Sequence, residues 1–240
     1  MKAYYDRIYT GSQLDLDEKG NTFSKIAGLW QETKSQMHVL DIGCGAGSVS
    51  EVLVQRGHLV YGLDLMDEAV RRATQRGLIA QVYDVNQGLP FQDKYFDCVL
   101  ALDIIEHLFD PLAALTEIHR VLTDRGYLLL FLPLHFDIYQ RWRTLLGKGI
   151  VSYEHIYYNR ANTAWNYFHI RFFTIPEAFD TFKLAGFISD GKPDYRPMML
   201  PDLPRPLRKV ISLHRLKKWA NWWPTLFASG MLVRLHKVIS

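Results

Sequence analysis

Three aspartates each close an apolar run: Asp41 after His38–Leu40, Asp64 after Leu59–Leu63 and Asp84 after Ile79–Tyr83. Between the first two lies Gly43-Cys44-Gly45-Ala46-Gly47. Glycines at this spacing let the backbone turn tightly and approach a ligand with no Cβ in the way. A helix expected over about Ser48 to Arg56 would point its unsatisfied N–H groups at whatever sits over the turn. Asp64, about twenty residues further on, is placed to accept hydrogen bonds from ribose hydroxyls, as in dinucleotide binders. Asp84 could accept one from an exocyclic adenine amine. Asp41 stands directly before the turn, where a carboxylate would repel a pyrophosphate and attract a cationic ammonium group. The spacing is G-x-G-x-G, with Ser48 where a dinucleotide fingerprint carries its third glycine. Together these residues favour a ligand that joins an adenosine to a cationic amino acid.

The elements that must position them alternate. Strands are expected at His38–Ile42, Leu59–Asp64, Ile79–Asp84, Tyr95–Leu102 and Gly126–Leu132. A helix over Asp67–Arg76 with Asp67 as N-cap, and one from Asp110-Pro111 to Leu122, fall between them. This alternation predicts a mostly parallel α/β sheet with helices on both faces. The acids then line the carboxyl edge of the sheet, where ligands of such folds bind. Beyond Pro133 the pattern changes. Residues His135–Phe173 are rich in Tyr, Trp, His and Arg with no clean period, as expected of a lid lined with aromatic rings. A helix over Pro176–Ala185 and strands at Phe187–Ser189 and Gly230–Val238 follow, with a proline-rich link from Pro193 to Pro206 between the strands.

With 240 residues, 48% hydrophobic and 22% charged, the chain is expected to be one globular domain. Its parts are a cap over 1–36, a ligand-binding core over 37–132, the aromatic insertion over 133–175 and a C-terminal sheet half over 176–240. Cys44 and Cys98 both fall in core segments, so no disulfide framework is expected. No apolar signal region or membrane-spanning stretch is present, and a cytoplasmic location is the expectation. The net charge of +3 is concentrated late, because 203–240 contains no Asp or Glu while Arg205, Arg208, Lys209, Arg215, Lys217, Lys218, Arg234 and Lys237 all lie there. On a helical wheel from Leu207 the apolar and basic residues scatter, so a solvated face is expected rather than membrane contact. With no nucleic-acid-binding module in view, no nucleic-acid partner is expected.

The motifs resemble those of class I S-adenosylmethionine-dependent methyltransferases. Val39–Gly47 is similar to their first motif, Gly62–Met66 to the second and Tyr83-Asp84-Val85 to the third. Leu89-Pro90-Phe91, Tyr95–Leu100, Ile105-Glu106-His107-Leu108 and Asp110-Pro111 follow the small-molecule branch, similar to the ubiquinone-type enzymes. The resemblance implies a Rossmann-like sheet whose antiparallel last strand is inserted beside its neighbour. It implies S-adenosyl-L-methionine as cofactor, with Gly43, Cys44 and Gly45 along the methionine part and Asp41 near its ammonium. Asp64 would hold the ribose with Leu65 beside the adenine, and Asp84 and Val85 would meet the adenine edge. Leu102 and Asp103 would lie under the sulfonium, with Tyr5, and also Tyr9, candidates to close over the cofactor.

Methyl transfer from a sulfonium is mainly a matter of positioning, helped by a base when the acceptor is a hydroxyl or amine. Histidine suits that role. His169, just before Arg171-Phe172-Phe173-Thr174, and His107 are the catalytic candidates, with His135 and His155 nearby. The expected acceptor is a small or medium-sized molecule, or a lipid- or glycan-like one, methylated at oxygen. Asp103, Glu106 and His107 would share a helix face at i, i+3, i+4. They resemble the metal trio of ubiquinone-pathway O-methyltransferases, with Asp where those usually have Glu, and no metal is assigned. The alternatives are a metal-assisted quinone or phenol O-methyltransferase and a non-catalytic S-adenosylmethionine-binding partner subunit.

Overall fold

At the centre of the sheet lies β1 (His38–Ile42), with β2 (Leu59–Asp64) on one side and β4 (Phe96–Leu102) on the other, both parallel to it. The structure is a computed structural model and describes residues 26–150, 169–198 and 212–238. Strands β3 (Ile79–Val82) and β5 (Leu122–Pro133) extend the parallel part outward. The last strand, β8 (Ala228–Lys237), runs antiparallel to β5 and is inserted between it and β6 (Phe187–Ser189). The order is β3-β2-β1-β4-β5-β8-β6, with β7 (Asp194–Pro197) also paired to β8. This is the Rossmann-like class I methyltransferase sheet, inserted antiparallel strand included.

Period-two alternation sends successive side chains to opposite faces. Leu40, Ile42, Val99, Leu128 and Leu130 pack with α3 (Pro111–Val121) and α5 (Ile175–Leu184). Val39, Val60, Cys98, Leu100 and Leu129 face the other way, toward α1 (Glu51–Gln55) and α2 (Asp67–Gln75). Asp41 shares the parity of Val39, so its side chain is directed toward α1. Two further helices, α4 (Ile138–Leu145) and α6 (Leu213–Trp222), lie outside the parallel half, and a short helix α7 (Pro224–Phe227) leads into β8.

Several boundaries differ from expectation. Regular helix α1 begins only at Glu51, because Gly47 (φ +79°) and the turns after it precede it. Ser50, at the N-cap, makes no side-chain cap; its hydroxyl goes to Asp41. The cap of α2 is Met66 in extended conformation, and Asp67 is the first helical residue. Asp110 does cap α3, accepting from Ala113 N–H at 3.0 Å, with Pro111 at the first helical position. Strand β7 emerges from the segment read as a proline-rich link, held at the edge where Pro197 can end it. Helix α6 does bury one side, Leu216 and Ala220 at i, i+4, contrary to the scattered wheel. The wheel began at Leu207, ahead of the Ser212 cap, and so ran over more residues than this helix contains.

Gly230 shows how tightly β8 is seated. A Cβ there would stand 2.5 Å from Phe131 Cζ, and the far side of that region is closed by the Arg196 guanidinium, 3.9 Å from the Phe131 ring centroid. Gly230→Ala is therefore expected to cost about 1–3 kcal/mol by overpacking. Thermal melting should record a drop of several degrees, at roughly 2–4 °C per kcal/mol for a chain of this size.

Candidate functional site

The glycine turn folds back over the end of β2. Gly43 and Cys44 both donate their N–H groups to Leu63 O, at 2.8 and 3.0 Å. Asp64 completes the clasp: its Oδ2 accepts from Gly45 N–H and its Oδ1 from Met66 N–H, each at 2.9 Å. The side chain is partly exposed, and a carboxylate offers about four acceptor sites, so two backbone bonds leave capacity for two hydroxyls. Burial raises its pKa, opposed by those backbone donors. Gly43 is in the left-handed region (φ +71°), and a Cβ on it would meet Ile104 Cδ1 at 2.9 Å. Gly62, under the turn, would bring a Cβ within 2.8 Å of Cys44 Sγ. At Gly45 an added Cβ would meet nothing within 4 Å, so this backbone faces open space beside Asp64. An open backbone cradle next to a carboxylate with spare acceptor sites fits a nucleoside carrying an amino-acid tail.

Asp41 is turned inward, 4% exposed, and accepts from Ser50 Oγ at 2.6 Å. Burial pushes its pKa up to about 6 against the Ser50 hydrogen bond. Asp84 caps the 3-10 turn Val85–Gln87, its Oδ1 accepting from Asn86 N–H and Nδ2 at 3.0 and 2.8 Å. Asn86 Oδ1 in turn accepts from Phe109 N–H at 2.9 Å, which ties the end of β3 to the segment after β4. Leu65, Val85 and Leu102 are half-buried at the same carboxyl edge. Asp103 follows β4 at φ +55°, in the left-handed region that aspartate tolerates better than most non-glycine residues. Tyr5, Tyr9 and His155 lie outside the described residues.

The same edge carries a buried polar cluster. The 3-10 turn Ile105–His107 follows β4 and His135 follows β5, while His169 arrives from the far end of the insertion. Glu106 is 0% exposed, and its Oε1 lies 3.8 Å from His107 Nε2 and 3.7 Å from His169 Nε2. His169 Nδ1 and His135 Nε2 share a hydrogen bond of 2.8 Å. Burial, with neighbouring histidines adding to it, lowers the pKa of His135 to about 4 and that of His169 to about 2, so both rings are neutral at pH 7. Ile170 and Arg171 N–H groups donate to Glu106 O at 3.0 and 3.1 Å, and Arg171 also donates to Phe109 O. These bonds pin the His169 segment onto the turn. Ile104, next to that turn, is the residue that a Cβ on Gly43 would meet, so cluster and turn are neighbours.

The helix face drawn through Asp103, Glu106 and His107 does not form, because residues 105–107 make one 3-10 turn. The residues that meet are Glu106, His107 and His169, whose ligating atoms all lie within 4.8 Å of one another. Ser50, Asn86 and the His135–His169 bond carried no sequence signal, since each depends on contacts between distant segments.

The fold and this carboxyl-edge cradle define the class I methyltransferase architecture. Consistent with that, residues 40–130 match the family described as "Methyltransferase domain". The "Probable tRNA methyltransferase 9B" of Homo sapiens is 33% identical over 118 residues, covering 48% of this chain and 25% of that protein. The "Ubiquinone biosynthesis O-methyltransferase" of Idiomarina loihiensis is 32% identical over 124 residues, covering 49% of each. The chain thus spans about half, or less, of the length of these curated relatives. A S-adenosylmethionine-dependent methyltransferase structure from Thermotoga maritima matches with TM-score 0.64 at 17% identity, over 99% of this chain and 100% of that one, a likeness of fold. The expectation of no nucleic-acid partner does not stand, because the human relative and its Bos taurus counterpart are both described as tRNA methyltransferases. A catalytic domain can take a nucleic acid without a separate binding module, so the lack of one excluded nothing. Among the described residues no helix is long and apolar enough to cross a membrane.

Proposed function

We propose that this chain is an S-adenosylmethionine-dependent methyltransferase that transfers a methyl group to oxygen of a small or medium-sized acceptor. The observation that carries the reading is the Asp64 clasp: a partly open carboxylate holding the Gly45 turn, with acceptor capacity left for a ribose. In this reading Gly43, Cys44 and Gly45 border the methionine part, and Leu65, Asp84 and Val85 border the adenine. The cofactor supplies a methyl carbon already activated by the sulfonium. The protein's part is to align the acceptor in line with that carbon. The Glu106–His107–His169 group is what would take up the negative charge or the proton of an acceptor hydroxyl.

The test is release of S-adenosylhomocysteine with a panel of phenols, sugar nucleotides, lipid-linked acceptors and tRNA. Turnover with a hydroxyl acceptor is the expected result. A second reading, with tRNA as acceptor, draws on the two relatives so described, and turnover confined to tRNA would establish it in place of the first. Cofactor binding without turnover on any acceptor would leave a non-catalytic partner subunit. With an acceptor in hand, His169→Ala is expected to lower kcat by on the order of 100-fold or more. Full turnover in that variant would remove His169 from the chemistry.

A further inference from the structure

We propose that Glu106, His107 and His169 form a binding site for one divalent cation of the zinc type, with His135 holding His169 in position. The inference rests on the methyltransferase reading for its consequence, not for its geometry. The Glu106 Oε1 to imidazole Nε2 separations of 3.8 and 3.7 Å are too long for direct hydrogen bonds. They are close to the spacing of ligands around a tetrahedral ion, about 3.3–3.5 Å for bonds of roughly 2.0–2.2 Å. All three ligating atoms fall within 4.8 Å of one another, so side-chain shifts of up to about 1 Å bring them onto one ion. One carboxylate and two imidazoles are a donor set that zinc accepts, and three protein ligands leave one position for water or an acceptor oxygen.

The surroundings are those of a prepared site. Glu106 is fully buried and His169 is 8% exposed, while the His107 side chain, at 11%, is the more open of the two imidazoles. Metal-bound imidazoles commonly fix their other ring nitrogen with a partner. Here His169 Nδ1 meets His135 Nε2 at 2.8 Å, so with Nε2 on the ion the Nδ1–H donates to His135. The backbone bonds from Ile170 and Arg171 to Glu106 O hold the two contributing segments together independently of any ion. Asp103, the residue that sequence spacing suggested, stands outside the group. An ion here would lower the pKa of a bound hydroxyl and so deepen the O-methyl reading.

Full-length protein stripped by chelator and titrated with Co2+ should bind one equivalent. The visible absorption bands of a tetrahedral nitrogen–oxygen site should appear, and Zn2+ should displace them. His169→Gln should abolish the bands, His135→Ala should weaken binding about 10- to 100-fold, and Asp103→Asn should leave it unchanged. Each variant is checked by melting and by S-adenosylmethionine binding. Should His169→Gln fail to fold, His107→Gln takes its place. Folded wild-type protein that binds the cofactor but no stoichiometric Co2+ would overturn the cation site and leave the methyltransferase reading intact. Co2+ binding that survives His169→Gln and is lost in Asp103→Asn would overturn the ligand assignment. Metal binding without cofactor binding would overturn the functional reading alone.

Discussion

Asp64→Ala should weaken binding of S-adenosylmethionine by at least about tenfold, and on the order of 100-fold if both ribose hydroxyls bond the carboxylate. Hydrogen bonds to a charged acceptor are worth about 1.5–3 kcal/mol each, and about 1.4 kcal/mol is a factor of ten. The loss has a second source. Gly45 and Met66 N–H groups, both satisfied by Asp64 in the folded turn, would be left without their acceptor. The turn would then lose the clasp that orients its open backbone toward the ligand. Calorimetric titration decides the matter: unchanged affinity would remove Asp64 from the site and with it the observation on which the functional proposal stands. Asp84→Ala should have a smaller effect, because that side chain already spends Oδ1 on two donors from Asn86.

The parallel half of the sheet was legible because buried strands leave a simple record. His38–Ile42 and Leu59–Asp64 are short apolar runs stopped by polar or glycine residues, and their observed bounds coincide with the expected ones. Where boundaries moved, a side chain had been recruited elsewhere. Ser50 is a good capping residue by type, yet its hydroxyl serves Asp41 across the turn and makes no cap for α1. Strand β7 was hidden because only Tyr195 of its four residues is buried, Pro193 precedes it and Pro197 is its last residue. It exists because β8 offers Gly230–Leu232 as a pairing edge, a fact no local window contains.

The site divides along the same line. The glycine turn and its acids are built from residues near one another in sequence, or from strands whose spacing the alternating pattern fixes, so Gly43, Gly45, Asp64 and Asp84 could be placed at the carboxyl edge beforehand. The histidine cluster joins turns after β4 and β5 to a residue 63 positions beyond Glu106, and only tertiary structure makes those neighbours. Spacing alone favoured Asp103 as third member of the trio, since i, i+3, i+4 is the reach of a helix. The chain forms one 3-10 turn there and enters it through a left-handed Asp103, which breaks that register.

Asp41→Asn is expected to make the protein more stable and a poorer cofactor binder. Burial raises the Asp41 pKa from 3.8 to about 6, so at neutral pH the fold carries an ionised carboxylate that its surroundings disfavour. The shift corresponds to an upper bound of about 3 kcal/mol. The sign follows from the direction. An acid raised in the folded state contributes its stability below the unfolded pKa near 4 and loses it as pH rises through about 6. Asparagine avoids that loss and can still accept from Ser50 Oγ through its own oxygen. The melting temperatures of the two proteins should therefore converge below pH 4 and separate by roughly 5–10 °C above pH 6. A difference that is flat across this range would reject burial of the charge as its cause. In the proposed reading the wild-type carboxylate has a use for its cost. It lies beneath the turn beside which the cofactor's ammonium is proposed to bind, and a nearby cation would stabilise its ionised form. Asp41→Asn should accordingly weaken S-adenosylmethionine more than adenosine, which lacks the ammonium; equal losses for both ligands would confine Asp41 to shaping the turn.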